Sequence, residues 1–290
     1  MAENEGAGNQ PVALDIDTLE ASIEKSRMQR RRSARISGIL YPLAVVLGVL
    51  AAWEAGTRLL GVPTFLLPPP SAVAGSLRAN ASLLLFHGWV TTIEIVLGFT
   101  LSIAIGIPLA LAIFLWPIFS RSILPLLISS QAMPKVAVAP LLLVWFGFGL
   151  LPKVLIAFLI AFFPIVISTA VGLSTIEPEK IYLARSMGFG SVATFCKIRL
   201  PNALPEIFGG LKISITLAVV GAVVGEFVGG DAGLGYLLMV ANGSMDTQLL
   251  FAGIVALTIL GVALFLVVEL AERLTIPRHI IAGDNATHLS

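Results

Sequence analysis

The residues most able to do chemistry are a few charged and polar side chains inside long apolar runs. Lys135, with Gln131 one turn before it, and Glu226 lie within predicted membrane spans. Each is costly to bury in lipid, and such residues commonly mark the path of a solute. An ammonium, an amide and a carboxylate bind solutes by charge and hydrogen bonding. We therefore take Gln131, Lys135 and Glu226 as candidate residues of a solute path.

The surroundings of Lys135 favour a position beside a cavity. Pro134 and Pro140 flank it and interrupt helical hydrogen bonding. Broken helices at membrane depth occur where the backbone lines a cavity or is buried in protein. Two alternatives remain open: Lys135 reaches outward to the membrane surface, or it pairs with a glutamate, for which Glu226 is a candidate. Glu94 is expected to be interfacial, because it lies near a span end.

The sequence lacks the motifs of the enzymes that such a chain could be. There is no Gly-Lys dipeptide and therefore no Walker A loop, and there is no His-Glu-x-x-His zinc motif. The three histidines, His87, His279 and His288, lie near or beyond the predicted membrane edges. A single cysteine, Cys196, excludes an internal disulfide and a cysteine-built metal site. We predict no catalytic residue, no metal site and no cofactor held by this chain.

Composition and hydropathy predict an all-α polytopic membrane protein. The chain is 57% hydrophobic and 12% charged, with a mean hydropathy of +0.96, whereas soluble domains carry about 25% charged residues. Six apolar runs approach the ~20 residues needed to cross a bilayer: 37–59, 89–115, 122–147, 153–174, 207–229 and 249–270. The predicted domains are an N-terminal tail (1–36), a transmembrane domain (37–275) with a long external segment (60–88), and a C-terminal tail (276–290).

Lysine and arginine predict the orientation, because loops on the cytosolic side are enriched in them. With the N-terminus in the cytosol, six spans return the C-terminus to the same side. The basic residues then on the cytosolic side are Lys25, Arg27, Arg30, Arg31, Arg32, Arg35, Arg121, Lys180, Arg185, Lys197, Arg199, Arg273 and Arg278. Arg58, Arg78 and Lys153 fall outside. Both tails are thus expected in the cytosol.

The loop 175–206, between the fourth and fifth spans, predicts a docking device for a soluble partner. Pro178 suits the first turn of one helix, Ser191 can cap a second, and Gly188 allows a sharp break between them. Pro201 is expected to stop the second helix. The alternative is an ordinary amphipathic connector that rests on the membrane.

The same loop resembles the cytosolic signature of ABC importer permeases, Glu-Ala-Ala-x-x-x-Gly followed after nine residues by Ile-x-Leu-Pro. Ala184 and Gly188 match the first part; Ile198, Leu200 and Pro201 match the second. Tyr182 replaces the glutamate and Leu183 the first alanine, which removes any salt bridge that the glutamate would make. The resemblance implies that Tyr182, Leu183, Ala184, Gly188, Ser191, Ile198, Leu200 and Pro201 form the loop that couples to an ATPase.

Further motifs over residues 63–278 resemble the sulfonate, taurine and nitrate branch of these permeases. They are Leu67-Pro-Pro-Pro-Ser71, the segment Pro134 to Gly147, Phe163-Pro164, Gly225-Glu226-Phe227 and Gly233-Leu-Gly-Tyr236. The resemblance implies the type I permease fold with six transmembrane helices. It also implies a homodimer in a bacterial plasma membrane, two ATPase subunits that bind the ATP, and a periplasmic or lipid-anchored binding protein.

The glycines Gly221, Gly225 and Gly229 repeat at every fourth position in the fifth span. Such spacing lets helix backbones approach closely. It is compatible with packing inside one chain or with a contact between two copies.

Three function classes follow: the permease subunit of an ATP-driven importer, a channel or secondary transporter, and a membrane-bound assembly or enzyme subunit. A secondary transporter should show inverted repeats, and the long loop 175–206 has no counterpart in the other half of the chain. The first class is therefore favoured. Two copies of Lys135 in a dimer would attract a small anion such as a sulfonate, nitrate, bicarbonate or aromatic acid. A neutral pyrimidine- or riboflavin-type precursor is the alternative, because the branch also carries such heterocycles.

Overall fold

The computed structural model of the protein describes residues 40–176 and 178–276, and these residues form helices and connecting loops without a β-strand. The predicted N-terminal tail (1–36) and the first three residues of the first predicted span (37–39) lie outside the described residues. Of the predicted C-terminal tail, only Ile276 is described. The helices are α1 (Leu40–Leu59), α2 (Pro70–Ala79), α3 (Ala81–Leu115), α4 (Pro117–Ser130), α5 (Ala139–Phe146), α6 (Leu150–Ser174), α7 (Pro178–Ser186), α8 (Ser191–Thr194), α9 (Leu200–Gly229), α10 (Leu234–Gly243) and α11 (Thr247–Thr275).

The described residues divide into two compact units, with the boundary between Val62 and Pro63. Of the described helices, α1 belongs to the first unit and the others belong to the second. Five helical segments are long and apolar enough to cross a membrane: α1, α3, α6, the continuous helix Ser191–Gly229, and α11. The pair Pro117–Ser130 and Lys135–Phe146, bent by 86°, forms the sixth when it is counted as one span. The prediction of an all-α protein with six spans is confirmed in this sense.

Helix α6 is the centre of the second unit and packs most extensively against α9 and α3. Small residues allow the close approach. A Cβ atom at Gly98 would lie 2.6 Å from the Cβ of Ala157, and one at Gly221 would lie 2.6 Å from its Cα. A Cβ at Gly225 would lie 3.0 Å from the Cα of Lys153. Of the two interpretations of the glycine repeat, the structure therefore supports packing inside one chain.

The third predicted span is broken where the prolines indicate. Helix α4 ends at Ser130, and a single 3₁₀ turn, Lys135–Val138, follows Pro134 before α5 begins. Pro140 occupies the first turn of α5, where its missing N–H leaves no hydrogen bond unmade. The 86° bend presents Lys135 at a corner of the chain rather than inside a straight helix.

Two helix boundaries differ from the sequence prediction. The second span begins before the predicted residue 89: α2 ends at Ala79 and α3 begins at Ala81, so this span is a helix of 35 residues. In the loop 175–206, Pro201 does not stop the second helix, because Ser191–Gly229 runs without interruption. A π-helical turn, Phe195–Arg199, precedes Pro201 and places it in the first turn of α9. The wider turn removes the clash between the proline ring and the preceding carbonyl groups.

Candidate functional site

The loop 175–206 folds into a compact hairpin around Gly188. Helix α7 ends with the Phe189 N–H donating to the Ala184 carbonyl at 3.0 Å, which closes its last turn. Gly188 has a φ of +80°, in the left-handed region that glycine adopts without steric cost. The predicted break is therefore present. The predicted cap is not, because Gly190 occupies the cap position of α8 and Ser191 makes no capping hydrogen bond.

The apolar residues of the hairpin divide into an exposed and a packed group. Tyr182, Leu183, Met187 and Val192 are exposed, with values from 62% to 77%. Ala184 is buried, and Leu200 packs against the main hydrophobic core. Ile198 and Pro201 are half-buried. The most exposed apolar side chains thus lie on both sides of the turn, while the Ile-x-Leu-Pro part is partly buried against the bundle.

Arg199 fastens the hairpin to the helix bundle. Its guanidinium donates to the Leu173 carbonyl at 3.2 Å, near the end of α6, and stacks on the Phe114 ring at 5.0 Å. A cation at a helix C-terminus satisfies carbonyls that have no intrahelical partner. A cavity of about 570 Å³ lies beside these contacts, between the end of α3 and the hairpin. A movement of the hairpin is therefore constrained by α3 and α6.

Lys135 lies against an aromatic ring and not beside Glu226. Its Nζ is 4.1 Å from the centroid of the Phe163 ring, in α6. Among the described residues no carboxylate lies within ion-pair distance of Lys135, which is half-buried. Gln131 is exposed at the end of α4. The ammonium therefore retains directions in which a solute can approach it.

Glu226 belongs to a different cluster, at the end of the bundle where α9 and α10 meet. The Thr91 hydroxyl donates to its Oε1 at 2.6 Å, and the Gly235 N–H donates to its Oε2 at 2.5 Å. Of the alternatives left open for Lys135, pairing with Glu226 is therefore not present in the structure. The cation beside this carboxyl group is Lys153, which α6 places there.

Lys153 is the centre of the cluster and is 3% exposed. Its Nζ lies 3.0 Å from Oε1 of Glu94 and 3.3 Å from Oδ1 of Asp231, and it donates a hydrogen bond to the Ala232 carbonyl at 3.4 Å. Glu94, which was expected at the membrane interface, is buried in the bundle beside Lys153. Both are buried, and burial of either charge is tolerable because the other compensates it.

The same cluster supplies the N–H partners at the start of α10. The Gly233 N–H donates to Nδ1 of His87 at 3.0 Å, and the Leu234 N–H donates to the Thr91 hydroxyl at 2.8 Å. Together with Glu226, which accepts from the Gly235 N–H, these side chains of α3 and α9 cap the N-terminus of α10. His87 is buried and hydrogen-bonded within the first two turns of α3.

Sequence reasoning missed His87, Thr91, Glu94, Lys153 and Asp231, although one signal was present. His87, Thr91 and Glu94 are spaced by four and three residues, which places them on one face of a helix. Three polar side chains on one face of an apolar helix indicate a polar contact inside the bundle. Their partners on α6 and α9 carry no such pattern.

Comparison with known proteins agrees with this architecture. Residues 102–280 match the family model described as "Binding-protein-dependent transport system inner membrane component". The riboflavin transport system permease protein of Chloroflexus aurantiacus is 41% identical over 81% of this chain and 88% of its own length. The formylaminopyrimidine transport permease protein of Halalkalibacterium halodurans is 34% identical over 82% of this chain and 95% of its own length.

The resemblance to the sulfonate and taurine branch is also confirmed, at lower identity. The taurine transport system permease protein of Escherichia coli is 30% identical over 82% of this chain and 88% of its own length. A chain of the MetNI methionine ABC transporter, in an inward facing conformation, superimposes with a TM-score of 0.57 at 18% identity. The superposition covers 66% of this chain and 95% of that one. The chain therefore belongs to the family of inner membrane components of binding-protein-dependent transport systems, and it has the fold of a type I ABC importer permease.

Proposed function

We propose that the chain is the permease subunit of an ATP-driven importer and that its hairpin around Gly188 inserts into an ATPase subunit. The observation that carries the proposal is the exposed apolar tip. Tyr182, at 67% exposed, and Val192, at 77%, lie on either side of the turn at Gly188. Large apolar side chains exposed outside a membrane commonly mark a protein interface. Because the chain has no nucleotide motif, the ATP is bound by that partner.

The proposed orientation places the Gly188 hairpin in the cytosol. Lys180, Arg185, Lys197 and Arg199 lie in or beside the hairpin, which agrees with the enrichment of basic residues on that side. The cluster around Lys153 then lies at the outer end. In this arrangement two copies of the chain, two ATPase subunits and an external solute-binding protein form the complex.

We propose Lys135 as the solute-contacting residue of the path. It combines an ammonium with the face of Phe163 at a corner of the broken span. An ammonium beside an aromatic ring suits a small solute that presents an anionic or carbonyl oxygen. The first candidate is a small organic anion of the sulfonate or aromatic-acid type.

A second candidate is a heterocycle with carbonyl groups. It is favoured by the relatives that are named for riboflavin and formylaminopyrimidine transport, at 41% and 34% identity, against 30% for the relative named for taurine. A planar heterocycle could accept a hydrogen bond from Lys135 and contact Phe163 through its ring.

Uptake into proteoliposomes tests both candidates. The complex of this chain with its ATPase and binding protein should import one solute of a panel containing riboflavin, a formylaminopyrimidine, taurine and benzoate, and only with ATP. Lys135→Met should reduce that uptake at least ten-fold and leave basal ATP hydrolysis unchanged. Lys135→Arg, which keeps the charge, should retain more uptake of an anion than Lys135→Met. Wild-type uptake by Lys135→Met would remove Lys135 from the path.

A further inference from the structure

The loop between α9 and α10 is held by two sets of contacts that differ in strength. We call residues Gly230–Gly235 the outer segment. Its second half is held by buried hydrogen bonds from Gly233, Leu234 and Gly235 to side chains of α3 and α9. Its first half is held by Lys153 alone among the described side chains, through Asp231 and the Ala232 carbonyl.

The bond from Lys153 to Asp231 can be released without stranding a buried charge. Lys153 has two carboxylate partners: Glu94 is 0% exposed, and the Asp231 side chain is 89% exposed. When Asp231 leaves, Lys153 remains neutralised by Glu94 at 3.0 Å. Asp231 itself passes into water, where an ionised carboxylate is stable. The usual cost of breaking a buried ion pair is therefore avoided.

The backbone on both sides of Asp231 permits a local movement. Gly229 and Gly230 precede it, and Gly233 follows with a φ of +117°. A Cβ atom at Gly233 would collide with the Glu226 carboxylate, so this glycine is required where the segment meets the buried contacts. A movement of residues 230–232 can thus pivot between glycines while α10 stays in place.

We propose that Lys153 and Asp231 form a latch on the outer segment, and that the external solute-binding protein opens it by presenting a lysine or arginine to Asp231. This inference rests on the proposed function and on its orientation. In the closed state, seen here, the segment is tied to α6. In the open state Asp231 pairs with the partner's cation, and residues 230–232 move away from the bundle.

The charge distribution determines the kind of partner. The only group of this cluster that solvent reaches freely is the Asp231 carboxylate. Hydrogen bonds from its own backbone amide and from Lys153 lower its pKa below the usual value, so it is ionised at neutral pH. A cation is therefore the complementary group, and it competes directly with Lys153 for the same oxygen atoms.

Hydrogen exchange of the purified permease–ATPase complex tests the latch before any partner is added. Asp231→Asn should increase exchange in the peptide that spans residues 230–235 by about two- to five-fold, since an ion pair with one exposed member is weak. Asp231→Glu should restore protection in part. Asp246→Asn is the matched control, because Asp246 is also exposed and asparagine can keep its cap on α11.

ATP hydrolysis by the same complex provides the second readout. If the latch exists, Asp231→Asn should raise ATP hydrolysis in the absence of the binding protein. The binding protein should then stimulate ATP hydrolysis less in this variant than in the wild type. Unchanged exchange in Asp231→Asn would overturn the latch. So would increased exchange with wild-type basal and stimulated hydrolysis, because the ion pair would then be structural only. Absence of ATP-dependent uptake by the wild type would instead overturn the proposed function.

Discussion

Replacement of Lys153 by methionine should destabilise the protein by leaving Glu94 as a buried charge without a counterion. The two side chains are 3% and 0% exposed and lie 3.0 Å apart. Removal of one member of a buried pair costs about 3–5 kcal/mol, because the remaining charge loses its compensation. For a chain of this size about 1 kcal/mol corresponds to roughly 2–4 °C, so the melting temperature should fall on the order of 10 °C.

The measurement is thermal unfolding of the detergent-purified protein, followed by loss of the monodisperse peak in size-exclusion chromatography. The double variant Lys153→Met/Glu94→Gln should recover most of the loss, because the remaining buried group is then neutral. Lys212→Met is the control: its ion pair with Glu272, at 2.6 Å, joins α9 to α11, and its members are 26% and 17% exposed. Water can solvate the remaining Glu272, and the loss should be smaller.

Two results would refute the reasoning. A melting temperature of Lys153→Met within about 2 °C of the wild type would mean that water or a proton compensates Glu94. A double variant no more stable than Lys153→Met would mean that lost packing around the lysine side chain, and not the charge, causes the effect.

Three further predictions concern the hairpin, the glycine contacts and pH. Gly188→Val should abolish ATP-dependent uptake but not membrane insertion, because a φ of +80° costs a non-glycine residue at least roughly 1–2 kcal/mol. The control is Gly190→Val: Gly190 has an extended backbone and open space around its Cβ position, so this variant should take up solute normally. Gly221→Leu should lower the free energy of unfolding by about 1–3 kcal/mol through collision with Ala157. Gly209→Leu should not, because no atom lies within 4 Å of the Cβ position of Gly209. Equal melting temperatures of the two variants would contradict the close packing at Gly221. Because the pKa of Asp231 is lowered, its contribution to holding the outer segment should be constant from about pH 5 to 8 and lost as the pH falls below the usual aspartate value. The measurement is hydrogen exchange of the outer segment, corrected for the effect of pH on the intrinsic exchange rate. Increased exchange already near pH 6 would contradict the prediction.

The sequence permitted prediction of the elements that depend on local chemistry. Prolines on both sides of Lys135 indicated the broken span, and Gly188 indicated the turn of the hairpin, because each acts through its own backbone geometry. The prediction that Pro201 stops a helix was wrong, although it used the same kind of local argument. The effect of Pro201 depends on the π-helical turn before it, which five ordinary residues form without a recognisable signal.

The charge cluster depends on tertiary contacts and could be predicted only in part. Lys153 is 59 residues from Glu94 and 78 from Asp231 along the chain. A lysine at the edge of an apolar run is usually solvated, and the positive-inside rule counts it as a loop residue. The alignment of α3 with α6 through glycine contacts brings its partners together, and no local pattern reports that register.

The continuity of the helix Ser191–Gly229 makes the molecule a lever. Its 39 residues span about 58 Å at 1.5 Å per residue, from the hairpin to the glycines beside the outer segment. A rigid rod of that length that tilts by about 5° around one end displaces the other by about 5 Å. Mechanical work at the hairpin can thus reach the opposite side of the bilayer along one backbone. The π-helical turn, Phe195–Arg199, lies at the hairpin end of this helix. Deletion of one residue there would rotate the hairpin by about 100° relative to the rest of the helix and leave the rod itself intact.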